Sequence, residues 1–245
     1  YIDQVETEAN LELAGEQKRA IEAVFQRGLC ILTGGPGTGK TLTVNGVIYV
    51  LKKVFGQPKI LLASPTGRAS QNLAEITGEE AGTIHRLLGF RPGEGPEYNE
   101  RETLDCELLV IDEASMLDIN LAWMVFEAIN PLKTRVLLVG DADQLPSVGP
   151  GNVLHDLIKG GVPAIRLREI FRQEETSQII TNAHRVNKGE MIQVEKGKED
   201  FYFIEQEEPE NIAQLIKAVA LKFIDQGYTL KELQVLAPMH KGLVG

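Results

Sequence analysis

Apolar residues along this chain follow two periods that alternate. Five short runs are apolar at nearly every position: 29–32, 59–64, 107–112, 135–140 and 163–167. Such runs read as strands buried on both faces. Between them the apolar positions fall three or four apart, as on one face of a helix. Residues 15–27 form a helix with Ile21, Val24 and Phe25 inward, stopped by Gly28. Val44, Val47, Ile48, Leu51, Val54 and Phe55 share a second face, and Ala69, Leu73 and Ile76 a third, closed by Gly78. Residues 83–88 make a short helix. Asp118 is placed to N-cap a helix carrying Leu121, Met124, Val125 and Ile129, ended by Pro131, and 152–159 gives one more. Strands alternating with helices predict an α/β domain with a parallel sheet covered on both faces.

Two stretches break the pattern. Residues 91–103 hold two prolines, two glycines and no apolar period, and read as a loop or hairpin excursion. Beyond residue 170 the texture changes. A helix over 174–187 leads into a Gly/Lys-rich stretch, 188–198, and an acidic strand-like segment, 200–206. Pro209 opens an amphipathic helix with Ile212, Leu215, Ile216, Val219 and Phe223 inward, and a strand is predicted over 233–237. This reads as the opening of a second α/β unit.

The first strand runs directly into Gly-Gly-Pro-Gly-Thr-Gly-Lys-Thr, residues 34–41, which fits G-x-x-x-x-G-K-T. Strand, glycine-rich turn and helix follow in the order that this phosphate-binding loop requires. Gly34, Gly35, Gly37 and Gly39 permit φ > 0 and close approach of the backbone to a ligand. The loop amides then point inward at the positive end of the following helix, which suits a polyphosphate. Lys40 is expected at the β/γ-phosphates and the Thr41 hydroxyl on Mg²⁺.

The third strand ends in Asp112-Glu113-Ala114-Ser115. Two carboxylates at the carboxyl end of a buried strand are costly unless they serve a site, and that edge is where ligands bind in open α/β sheets. Asp112 is expected to hold Mg²⁺ through its water shell, facing Thr41. Glu113 is expected to polarise the water that attacks the γ-phosphate. Capping of the next helix is the plainer use of such a pair, but the preceding P-loop favours the site. The fourth strand ends in Gly140-Asp141-Ala142-Asp143-Gln144. Gln144 can sense a γ-phosphate without adding charge; an ordinary polar turn is the alternative.

Bulk properties change this picture little. The 245 residues carry a net charge of −10, which argues against non-specific coating of nucleic acid but leaves room for a local cationic groove. Cys30 and Cys106 fall in or beside buried strands, as small core residues of a cytoplasmic, reducing location. No apolar stretch is long enough to span a bilayer, and Tyr1–Asn10 lacks a signal-peptide core. The four histidines lack metal-ligand spacing.

Taken in order, the motifs resemble the RecD-like DNA helicases of superfamily 1B, the family of the exodeoxyribonuclease V alpha subunit. LAGEQKRAIEAV matches the segment with the adenine-reading glutamine, here Gln17. GGPGTGKT is similar to motif I, SPTGRAS at 64–70 to motif Ia and TIHRLLGF at 83–90 to the next DNA-contacting motif. IDEASM at 111–116 resembles motif II, GDADQLPSVGPG at 140–151 motif III and LREIFRQ at 167–173 motif IV. VLAPMHKGLVG at 235–245 matches an early strand of a second motor domain.

The resemblance implies a RecA-like P-loop NTPase domain over roughly residues 11–170, with a short hairpin insertion at 91–104. A linker and the incomplete start of a second RecA-like domain would occupy 171–245. The motif I strand would lie beside the motif III strand, which separates it from the motif II strand. The implied activity is an ATP-driven motor stepping 5′ to 3′ on single-stranded DNA at a duplex fork, in recombination or repair. Its implied associates are nuclease subunits or single-strand-binding protein, with no membrane contact. ATP and Mg²⁺ would be held by Gln17, Gly35, Pro36, Gly37, Thr38, Gly39, Lys40, Thr41, Leu42 and Asp112, with Thr41 and Asp112 on the metal. Lys40, Glu113, Gln144 and Arg172 would carry catalysis, Arg172 reaching the γ-phosphate across the inter-domain cleft. Pro65, Thr66, Arg68, Thr83 and His85 would contact DNA. Segment 91–104 stands where the family splits the duplex, with Tyr98 its only aromatic.

The chain stops before two later family motifs, and the family's N-terminal domain does not precede motif I. Nucleotide binding with weak or absent hydrolysis is therefore expected of this length of chain. Two other classes remain open. A P-loop kinase would need an acceptor pocket and an arginine-rich lid, which 91–104 supplies poorly. A non-catalytic nucleotide-gated interaction module would need decayed catalytic residues, yet Lys40, Thr41, Asp112, Glu113, Gln144 and Arg172 are intact.

Overall fold

Every one of the five apolar runs becomes a strand of a single sheet. The computed structural model describes residues 1–9, 12–91, 93–168, 177–195, 200–237, 241, 242 and 244. Its contacts divide the chain into two units, Tyr1–Ile192 and Gln193–Gly245.

The first unit opens with helices α1 (Ile2–Ala9) and α2 (Gly15–Gln26), then β1 (Leu29–Gly34) and α3 (Lys40–Phe55). There follow β2 (Ile60–Ser64), α4 (Gly67–Thr77), β3 (Ala81–Thr83), α5 (Ile84–Leu87) and β4 (Leu108–Ile111). The unit continues through α6 (Ile119–Glu127), β5 (Arg135–Gly140), α7 (Val153–Lys159), β6 (Ala164–Leu167) and α8 (Gln178–Asn187). The strands pair in the order β3-β2-β4-β5-β1-β6, and every pairing is parallel. As expected, β5 separates β1 from β4.

Strand alternation sends successive residues to opposite faces, and each face has its own core. On one face Cys30, Leu32, Leu62, Leu108, Val110, Leu137 and Val139 pack under α2, α3 and α4, against Ile21, Val24, Val47, Leu51 and Leu73. On the other, Ile31, Ala63, Leu109, Ile111, Val136 and Leu138 pack against Ile84, Leu88, Leu121, Val125, Val153 and Leu154. Thr66, Thr83 and Asp118 cap α4, α5 and α6, each accepting a hydrogen bond from the backbone N–H three residues on.

The structure departs from the sequence pattern in several places. β3 is a three-residue edge strand, too short for a period, which borrows its ladder from β2. Val54, Phe55 and Ile76 are exposed rather than inward; Phe55 lies under the Arg135 guanidinium, 5.3 Å from its ring centre. In 91–104 the excursion is a small turn bridged between Arg91 and Gly95, and Tyr98 is half-buried on the core rather than a tip.

In the second unit α9 (Pro209–Asp225) forms as predicted but buries none of its residues. Residues 200–206 and 233–237 form no strand. An extended segment becomes a strand only when another satisfies its N–H and C=O groups, and none does so among the described residues of that unit. The expected boundary near residue 170 lies in 169–176, outside the described residues; the contacts divide the chain after Ile192.

Candidate functional site

The carboxyl edge of the sheet gathers the chemistry. β1 ends at Gly34, and the turn that follows delivers the chain to the N-terminus of α3 at Lys40. Gly37 and Gly39 take φ of 73° and 79°, the left-handed region that glycine enters at no steric cost. Gly34 is glycine for a different reason than the expected φ: a Cβ there would stand 2.6 Å from Thr38 Oγ1 and 2.9 Å from the Leu167 carbonyl oxygen. Thr38 is buried and donates from Oγ1 to Gly35 O at 2.8 Å, closing the turn. The first amides of α3 lack intrahelical partners and face the same space.

Lys40 Nζ donates to Gly34 O at 2.7 Å and Gly35 O at 2.9 Å. The ammonium thus rests on the loop's own carbonyls. Gln17 is 1% exposed. Its Oε1 accepts from Ala14 N at 2.8 Å, and its Nε2 donates to Gly39 O at 3.4 Å. The glutamine expected at an adenine also buttresses α2 against the loop, and its second N–H and second oxygen lone pair remain available to a base. Thr41 is half-buried at the start of α3, and Leu42 packs against the core beneath the loop.

Two strands from β1, β4 ends at Ile111, and Asp112 N still donates to Ala63 O at 2.9 Å. Burial pushes the Asp112 carboxyl above its ordinary range, with the Glu113 backbone N–H and the Lys40 ammonium pulling it back. Burial also raises Glu113, reinforced by the charge of Asp112 and opposed by Lys40. A carboxylate raised in this way is a stronger proton acceptor. Glu113 has φ 52°, alone among the described non-glycine residues in being positive. That left-handed conformation costs a side-chain-bearing residue about 1–2 kcal/mol. It turns the chain sharply into the short helical turn Ala114–Met116.

β5 ends between these two strands. Asp141 is 3% exposed and accepts from Asp143 N at 3.0 Å. Thr33 Oγ1, near the end of β1, accepts from Ala142 N at 3.0 Å and ties the loop after β5 to the P-loop strand. Arg166 of β6 pairs with Asp143. Gln144 is exposed on this loop. Arg172 lies outside the described residues.

The predicted DNA-contacting residues stand on the same edge. Pro65 and Thr66 follow β2, Thr83 ends β3, and Ser64 pairs with Thr83 in register. The two threonine oxygens accept from Ala69 N and Arg86 N at 3.3 and 3.2 Å, which leaves each O–H as a donor. Arg68 and His85 are exposed, and the His85 ring meets Phe90 edge-on at 5.4 Å.

Sequence reasoning missed three residues of this edge. Thr33 and Asp141 carried a weak signal, each a polar residue in or just after an apolar strand. His184 carried none, because only the fold brings α8 to Gly35. Among the described residues, no group of three or more His, Cys, Asp and Glu is placed to hold a metal ion, and no helix is long and apolar enough to cross a membrane. One half-buried carboxylate and a hydroxyl, Asp112 and Thr41, still suit Mg²⁺, which keeps several waters and takes only one or two protein carboxylates beside phosphate oxygens.

A family model described as an AAA domain matches residues 17–150. The chain is 35% identical over 241 residues to the ATP-dependent RecD2 DNA helicase of Deinococcus radiodurans, spanning 98% of this chain and 32% of that protein. It is 35% identical over 222 residues to the RecBCD enzyme subunit RecD of Mycobacterium tuberculosis, 79% of this chain and 38% of that one. It therefore spans about a third of the length of these relatives. The crystal structure of Pif1 helicase from Candida albicans superposes with a TM-score of 0.54 at 23% identity, over 72% of this chain and 44% of that one, a likeness of fold.

Proposed function

The chain belongs to the AAA-domain family and is RecD-like in sequence, and from this we propose that it is the nucleotide-binding lobe of an ATP-dependent DNA helicase. One observation carries the reading. Lys40 at the start of α3, after the turn that follows β1, shares one sheet edge with Asp112 and Glu113 beyond β4, and its charge reaches both carboxyls.

In the proposed reaction the triphosphate displaces the Gly34 and Gly35 carbonyls from Lys40 and takes the loop amides as donors. Thr41 and Asp112 would hold Mg²⁺, whose chemistry is to neutralise charge on the β- and γ-phosphate oxygens. Glu113 accepts a proton from the attacking water as the bond from the γ-phosphorus to the bridging oxygen breaks, releasing ADP and phosphate. Gln144 reports the state of the γ-phosphate to the loop after β5. Arg172 supplies a planar cation to the charge that builds in the transition state. Pro65, Thr66, Arg68, Thr83 and His85 hold DNA phosphates and sugars without reading sequence. Segment 91–104 acts at the fork. Translocation runs 5′ to 3′ in the cytoplasm, alone or beside nuclease subunits or single-strand-binding protein.

DNA-dependent ATPase and strand separation by the full-length parent, on substrates tailed at either end, test this. DNA-stimulated turnover and unwinding from 5′ tails are expected, and Glu113→Gln keeps ATP binding while losing turnover. Absence of DNA stimulation overturns the helicase reading, and unwinding from 3′ tails alone overturns the polarity.

A further inference from the structure

α8 brings an imidazole to the P-loop that the reaction above leaves unused. The Lys40 ammonium, which serves the β/γ-phosphates, stands 2.9 Å from Gly35 O. Gly35, like Gly34, therefore lies beside the cation that serves the terminal phosphates. His184 packs against this residue: a Cβ built on Gly35 would be 3.2 Å from His184 Cε1 and 3.8 Å from Nε2. The helix beneath is seated by Gln178 and Asn182, both buried. Yet His184 Nε2 is closed off from solvent and has no hydrogen-bond partner. A desolvated ring nitrogen without an acceptor is unfavourable, and the anion that would occupy the loop is the group that could satisfy it.

We propose that His184 is a terminal-phosphate ligand: its Nε2 donates to a γ-phosphate oxygen, so that a triphosphate holds α8 on the P-loop and a diphosphate does not. The proposal rests on the nucleotide-site reading above. It makes Gly35 a glycine because the ring needs the space, and it lets the last helix before residue 193 sense which nucleotide is bound.

The test is equilibrium binding of Mg²⁺-ADP and Mg²⁺-adenylyl imidodiphosphate to the intact protein and to His184→Phe and His184→Gln. Phenylalanine keeps the ring packed on Gly35 without a donor; glutamine restores a donor N–H. His184→Phe is expected to weaken the triphosphate analogue about tenfold, the loss of one hydrogen bond to a charged oxygen. Its ADP affinity should stay within about twofold, and His184→Gln should regain most of the loss. Equal losses for both nucleotides, no loss for either, or no recovery with glutamine overturns the proposal. If the unaltered protein binds neither nucleotide, the nucleotide site falls, and this inference with it.

Discussion

Lys40 donates to the carbonyl oxygen of Gly35 at 2.9 Å, so the resting P-loop is closed on its own cation. Binding a triphosphate exchanges carbonyl partners for phosphate oxygens of full charge. Lys40→Ala should therefore weaken ATP by about 100-fold, in keeping with a charge-assisted contact of roughly 1.5–3 kcal/mol. It should cost the fold no more than about 1 kcal/mol, because the lost bonds sit in a partly solvated loop. Titration with a fluorescent ATP analogue beside urea melts checks both; a large loss of stability with unchanged affinity contradicts the exchange.

Glu113 combines a left-handed backbone with a half-buried carboxyl. Glycine at that position relieves the backbone but keeps glycine's larger unfolded-state entropy. Glu113→Gly should be more stable than Glu113→Gln by about 0.5–1 kcal/mol, the difference of those two effects. Both variants should lack turnover in the parent protein. Equal melting temperatures for the two variants would show that the strain is not felt.

Burial raises the pKa values of Asp112 and Glu113 above those of the unfolded chain. The folded protein then holds protons that the unfolded chain has released. The contribution of these groups is fully present below the unfolded-state pKa and lost as pH climbs through the folded-state value. Asp112→Asn should consequently raise the melting temperature by a few degrees at neutral pH. That advantage should shrink as pH falls toward about 4, the unfolded carboxylate range. Melts across pH 4 to 8 decide it, and an advantage independent of pH would contradict the linkage.

Gly34 has no room for a methyl group. Its Cβ would meet the Thr38 hydroxyl and the Leu167 backbone oxygen, and the latter belongs to the neighbouring strand β6. Gly34→Ala should cost about 1–3 kcal/mol, as overpacking of a tight site does, with nucleotide affinity lost alongside. Denaturant midpoints at an unchanged m-value measure it; a neutral variant would show that β6 yields easily.

The Cys30 thiol is pushed up to about 11 by burial in β1. It should resist iodoacetamide at pH 8 in the native protein and react fully in urea, since the thiolate is the reactive form. Mass spectrometry distinguishes the two, and native-state labelling would mean that β1 opens locally.

Much of the site was legible because its parts are contiguous. Residues 29–41 hold strand, turn and helix start in one stretch, and their local geometry follows from glycine content and apolar period. The same holds for Asp112 and Glu113, whose placement at the end of an apolar run already put them at a sheet edge. The reasons behind single residues were less accessible. Gly34 was read as a source of φ > 0 but is required by β6, some 130 residues away in the chain. Gln17 read as a base contact, and only the fold shows that its carboxamide also ties Ala14 to Gly39. The strands expected at 200–206 and 233–237 had the composition but no partner among the described residues.

Local chemistry, written in neighbouring residues, determined the α/β alternation, the phosphate-binding turn and the acidic strand end, because period and spacing act within a few residues of chain. Tertiary structure alone decided the places of β3 and β6 at the two sheet edges, the tie from Thr33 to Ala142 and the approach of His184 to Gly35. Those depend on which distant segments share a ladder or a core, and burial of apolar area is indifferent to separation along the chain.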